Sequence, residues 1–154
     1  RSMYLHADRP LISENGTSTL VHEMFHVFTR IRGAEGDDWI AEGLAEFYSI
    51  ELMRRAGLLS DSRADKAQEW MARHGRSVKS LDTNRSSGPR TARAVQLLRE
   101  LDAEIREGTD GKRSLDDVVK ALIKIREVSR EDLREQAEKF LGGPSKVLQT
   151  PLLD

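Results

Sequence analysis

The chain has 154 residues, 38 % of them hydrophobic and 33 % charged, with 25 Lys plus Arg against 26 Asp plus Glu and a net charge of -1. That length fits one compact domain, the apolar share excludes a disordered tail, and the balanced charge gives no reason to expect nucleic acid or an anionic membrane as partner. No apolar run approaches the roughly 20 residues of a membrane helix, and cysteine is absent, so any transition-metal site must draw on His, Asp and Glu.

Residues 1–11, RSMYLHADRPL, have some β character before Pro10 and predict a short edge strand, followed by a loop through Asn15-Gly16. A helix is expected from Thr17 or Ser18 to about Arg32, with Leu20, Val21, Met24, Val27, Phe28 and Ile31 at helical spacing, ended by Gly33 and Gly36. Asp37-Asp38 can cap a second helix from about Trp39 to Ala56, burying Ile40, Leu44, Phe47 and Ile50 and stopping at Gly57. Residues 58–90 are more polar, with a helix over about 63–73 and a loop at 82–90.

Three further helices follow. Residues 91–107 set Val95, Leu98, Leu101 and Ile105 on one stripe. Residues 115–126 follow Ser114, whose spacing to Asp117 is that of a capping box, and should bury Leu115, Val118, Val119, Leu122 and Ile123. Residues 130–141 follow Ser129, bury Leu133, Ala137, Phe140 and Leu141, and end at Gly142-Gly143. The final PSKVLQTPLLD reads equally as a short helix or an unpacked tail. The expected fold class is therefore mainly α: a multi-helix domain over residues 1–154 with at most a short N-terminal edge strand.

The sharpest chemical feature is HEMFH at residues 22–26, an H-E-x-x-H motif inside the first helix. A helix turns about 100° per residue, so His22 and His26 stack on one face and can bind one zinc ion. Glu23 lies about 100° round from the pair, placed to take a proton from a zinc-activated water and pass it to a leaving amine. Chance ordering yields such a motif in about one chain in a hundred of this composition.

A third ligand is available downstream. In WIAEGLAEFY, residues 39–48, Glu42 and Glu46 lie four apart on one helical face, and Gly43 permits close helix approach. Glu42 is assigned as the zinc ligand, and Glu46 as the acceptor of a hydrogen bond from a ligand imidazole. His6 and His74 are expected to be ordinary surface or part-buried residues, Trp39 and Trp70 core or interface residues, and the alternating charges of residues 99–113 a solvated face.

These residues resemble the gluzincin metallopeptidases, and most of all the glycyl aminopeptidase family. LVHEMFHVF (residues 20–28) is similar to that family's L-x-x-H-E-x-x-H-x-[WF], and WIAEGLAEFY to its W-[VI]-x-E-G-[FL]-[TA]-x-[YF]-Y. LDAEIREGTDGKRSLDDVVKAL (residues 101–122) resembles a further family segment. The resemblance implies a gluzincin-like catalytic subdomain, zinc as cofactor, and hydrolysis of peptide or protein substrates from their N-termini.

The chain departs from the family pattern in three places. The family tyrosine that stabilises the tetrahedral intermediate would fall near Arg90 and Thr91, leaving Arg90, His74 or Tyr48 as substitute donors. Losing such a donor costs about 10²–10³ in rate. Fifteen residues separate His26 from Glu42, a shorter connection than the family's. The family's N-terminal sheet region and C-terminal PDZ domain have no counterpart, so residues 1–8 are the only expected substrate-binding edge strand, and further domains of a parent protein are expected partners. A zinc-binding but catalytically weak helical module acting in binding or regulation is the alternative, and a metal-free helical bundle the third reading.

Overall fold

The computed structural model describes Asp8 and residues 10–154. Among these residues the architecture is mainly helical: α1 (Thr19–Thr29), α2 (Asp38–Arg55), α3 (Asp61–Gly75), α4 (Gly88–Gly108), α5 (Leu115–Ile125) and α6 (Arg130–Leu141). Two short strands, β1 (Arg32–Gly33) and β2 (Glu127–Val128), pair in parallel. That pairing was not expected, because it joins segments far apart in the chain. The predicted edge strand in residues 1–11 lies largely outside the described residues, as does His6.

Helix α2 is the centre of the molecule. It packs against both α1 and α4, while α3 packs on α4 and α5 pairs with α6. Trp39, Ile40, Leu44, Phe47, Ile50 and Met53 of α2 are all buried, as are Val95, Leu98, Leu101 and Ile105 of α4. Burial of each such side chain is worth about 1.5–3 kcal/mol. Gly43 serves the α2–α4 contact: a Cβ there would stand 2.7 Å from Ala94 Cβ and 3.1 Å from Leu98 Cδ1. The close approach that Gly43 permits is thus made to α4.

Local chemistry explains most of the boundaries. Ser18 caps α1 through Val21 N, and both Ser114 and Ser129 form capping boxes, with Asp117 and Asp132. Gly57 and Gly142 take left-handed backbone after α2 and α6. Helix α1 ends earlier than expected, at Arg30, which is left-handed (φ 54°) and donates its N–H to His26 O. Helix α4 begins at Gly88, inside the segment read as a loop, because Pro89 suits a first helical turn.

Asp37 occupies the N-cap position of α2, but its side chain makes no capping bond. Instead it is buried, accepts from Trp39 Nε1 (3.1 Å), and pairs with Arg130 through both Nε and the backbone N–H (2.8 Å each). Arg130 also donates to Leu153 O (2.5 Å), and Leu148, Leu152 and Leu153 are buried, so the C-terminal segment is packed and ends in a 3₁₀ turn at Pro151–Leu153. Ile123, expected inside, is exposed, and Phe140 and Leu141 are only part-buried.

Helix α1 turns its polar face to the interior. Met24, Val27 and Phe28 are exposed, and the face turned inward carries Phe25, His26 and Thr29. The polar stripe of His22 and His26 meets the carboxylates of α2, so the apolar stripe must point away.

Candidate metal centre

Helices α1 and α2 run antiparallel across the site. Moving forward one turn on α2, from Glu42 to Glu46, matches moving back one turn on α1, from His26 to His22. Glu42 Oε2 lies 3.2 Å from His22 Nε2, Glu42 Oε1 lies 3.3 Å from His26 Nε2, and the two imidazole Nε2 atoms are 3.1 Å apart. Glu46 Oε2 stands 2.8 Å from Nδ1 of His22. The five predicted site residues are thus sorted into two helices, with Glu23 exposed on α1 beside the cluster.

These spacings fit a tetrahedral ion. Bonds of about 2.0–2.1 Å to nitrogen and oxygen place adjacent ligand atoms about 3.3–3.4 Å apart. His22, His26 and Glu42 each offer one ligand atom within 4.8 Å of the others, and one tetrahedral position remains for a water or substrate. In the neutral ring, a carboxylate on Nδ1 sets that nitrogen as the proton carrier and leaves Nε2 with its lone pair towards the centre.

Charge in the cluster is strongly coupled. Burial disfavours the imidazolium of His22, but the hydrogen-bonded carboxylates of Glu42 and Glu46 outweigh it and hold its pKa up at about 9. The hydrogen bonds of His22 and then His26 hold the Glu42 carboxyl down at about 2. In the metal-free protein a proton therefore occupies the cluster at neutral pH, and any metal ion would have to displace it.

A cavity of about 300 Å³ opens beside His22, Glu42 and Glu46, with Asn15, Trp70, Ser86 and Thr91 on its walls. The segment before α4 is anchored there by Ser86 N to Asp38 Oδ2 (2.6 Å) and by a bond between the Ser86 and Thr91 hydroxyls (2.9 Å). None of these four was assigned to the site from sequence: Trp70 reads there as a core or interface residue, and the hydroxyl and amide side chains of Asn15, Ser86 and Thr91 carry no spacing signal.

The three substitute oxyanion donors fare poorly. Tyr48 donates its hydroxyl to Asp116 (2.7 Å) and stacks on Phe25 at 5.3 Å, and burial together with Asp116 pushes its pKa above the usual phenol range. His74 stacks on Trp70 at 4.5 Å, and Arg90 Nε donates to Ser80 O at 3.4 Å. Neither Arg90 nor His74 is among the residues that line the cavity.

No helix among the described residues is long and apolar enough to cross a membrane. No family model, no curated protein and no solved structure matches the chain.

Proposed function

We propose that this chain is a zinc-dependent peptidase domain of gluzincin type, aminopeptidase-like, hydrolysing a peptide bond with Glu23 as general base and acid. The observation that carries it is the convergence of His22 Nε2, His26 Nε2 and Glu42 at 3.1–3.3 Å, with Glu46 holding the other nitrogen of His22. His22, His26 and Glu42 would hold the zinc ion, which supplies the positive charge that acidifies a water and polarises the scissile carbonyl. Glu46 keeps the His22 proton on Nδ1, so the ring faces the centre in a single tautomer. Glu23, free of the ligand set and open to solvent, accepts the proton of the attacking water and delivers it to the leaving amine. Oxyanion stabilisation falls to the polar wall of Asn15, Ser86 and Thr91 rather than to a tyrosine.

Elemental analysis after dialysis, with hydrolysis of N-terminally free peptides, tests this reading. About one zinc per chain, lost in His26→Ala, and turnover abolished in Glu23→Gln are the expected results. No metal uptake at neutral pH would sink it. One observation favours a second reading, a zinc-holding module with little or no turnover: Tyr48 is committed to Asp116. Full zinc binding without cleavage of any peptide is its signature.

A further inference from the structure

We propose that the cleft beside His26 binds a carboxylate of the peptide through Arg30, Arg32 and Arg126; this assignment rests on the peptidase reading. The cleft has a volume of about 330 Å³ and is lined by His26, Val27 and these three arginines. His26 belongs both to this wall and to the proposed ligand set, so an anion here sits next to the bond to be cut.

Three observations point to an anionic ligand. Among the described residues no carboxylate lines the cleft, and none of its three arginines forms an ion pair. Gathering three cations in one concavity is repulsive unless an anion joins them.

The backbone carries the second observation. Arg30 (φ 54°, ψ 22°) and Arg126 (φ 71°, ψ -55°) are two of the three non-glycine residues with positive φ among the described residues. Glycine adopts such backbone without strain, as it does at Gly57 and Gly142. Strain of this kind is held where the side chain is needed.

The third is the small parallel sheet. Arg32 N donates to Arg126 O at 2.7 Å, which brings two arginines from opposite halves of the chain to the same wall. Guanidinium groups match a carboxylate in bidentate geometry. The carboxylate can come from an acidic side chain or from the peptide's free C-terminus, and the two sources separate by experiment.

Fluorescence anisotropy is measured on the wild-type chain with chelator present, so that binding is read without turnover. The probes are labelled neutral hexapeptide amides, the same peptides with one glutamate in place of glutamine, and the neutral peptide as a free acid. A charge-assisted pair should tighten binding about 10- to 100-fold in the arm that supplies the right carboxylate. Arg32→Gln and Arg126→Gln should erase that gain while leaving the neutral peptide and the melting temperature unchanged.

Equal binding of all three probes, or a gain that survives both substitutions, overturns the assignment. So does inorganic phosphate competing as well as the carboxylate peptide, which would make this a plain anion site. Acidic peptides that bind through the arginines but are never cleaved, with zinc restored, refute the peptidase reading and leave the cleft standing. Peptides cleaved with no preference for either carboxylate do the reverse.

Discussion

Replacing Glu46 by alanine removes the carboxylate 2.8 Å from His22 Nδ1 while leaving His26 and Glu42 in place. Two effects then oppose each other. An outer partner that orients a ligand imidazole is worth about 10- to 100-fold in metal affinity. The same carboxylate, however, helps hold a competing proton on His22, whose pKa is disfavoured by burial and yet raised to about 9 by Glu42 and Glu46. At pH 7 that proton weakens zinc uptake by about 10²-fold. Loss of Glu46 relieves part of this competition.

The expected deficit of Glu46→Ala is therefore modest at pH 7, about 3- to 10-fold, and opens towards the full 10- to 100-fold at pH 9, where wild-type His22 has begun to give up its proton. Zinc affinity measured at both pH values by competition with a chromogenic chelator reads the difference directly. Glu46→Gln, which keeps an acceptor but not the charge, should fall between wild type and Glu46→Ala. A deficit that is the same at both pH values, or absent at both, refutes the argument. Melting curves of the chelated variants guard against a loss that is merely unfolding.

Arg130→Met leaves Asp37 buried without its partner, and urea denaturation should register a loss of about 3–5 kcal/mol, against within about 0.5 for Arg73→Ala on the surface. Gly43→Ala gains about 1 kcal/mol of helix propensity but forces a methyl group to within 2.7 Å of Ala94 Cβ. Overpacking of about 1–3 kcal/mol should win, with stability restored in the Gly43→Ala, Ala94→Gly pair. For the chelated protein, the raised pKa of His22 contributes stability fully present below about 6.5 and lost as pH rises through about 9. The lowered pKa of Glu42 contributes stability present above about 4.5 and lost as pH falls through about 2. The melting-temperature gap between wild type and Glu42→Gln should accordingly be widest between these limits, at about pH 4.5–6.5, and a gap that keeps growing towards pH 9 would contradict the assignment. Tyr48→Phe should cost about 1 kcal/mol and leave any peptide turnover within about 3-fold, whereas a loss of 10² or more would restore Tyr48 as the oxyanion donor.

Helices whose ends are set by neighbours in sequence were legible. Ser114 with Asp117, Ser129 with Asp132, and the left-handed Gly57 and Gly142 place boundaries through contacts only a few residues long. Periodicity on α4 also reported burial correctly, because Val95, Leu98, Leu101 and Ile105 all face one partner layer. It gave no such report on α1, where two incompatible stripes share eleven residues. Hydrophobic spacing marked Met24, Val27 and Phe28 as helical without saying which face turns inward; the carboxylates of α2 select the histidine face, and a helix cannot turn both inward. Asp37 misled for a related reason: a local cap was the obvious role, but Arg130, 93 residues away, claims both its oxygens.

The same distinction separates the two halves of the site. His22 and His26 are neighbours because a helix makes them so, and Glu42 and Glu46 likewise, so the spacing carried the motif and only the antiparallel crossing of α1 and α2 had to be supplied by the fold. The arginine cleft has no such signature. Arg30 stands at a helix end, and Arg32 and Arg126 meet only through a parallel pairing two residues long. A sequence window centred on any one of them shows a surface cation. Chemistry borne on one helix can be read from spacing, whereas recognition built at the seams between elements is set by long-range pairing and backbone strain. If that cleft selects the substrate's carboxylate, the residues that choose the peptide are the ones a motif search passes over.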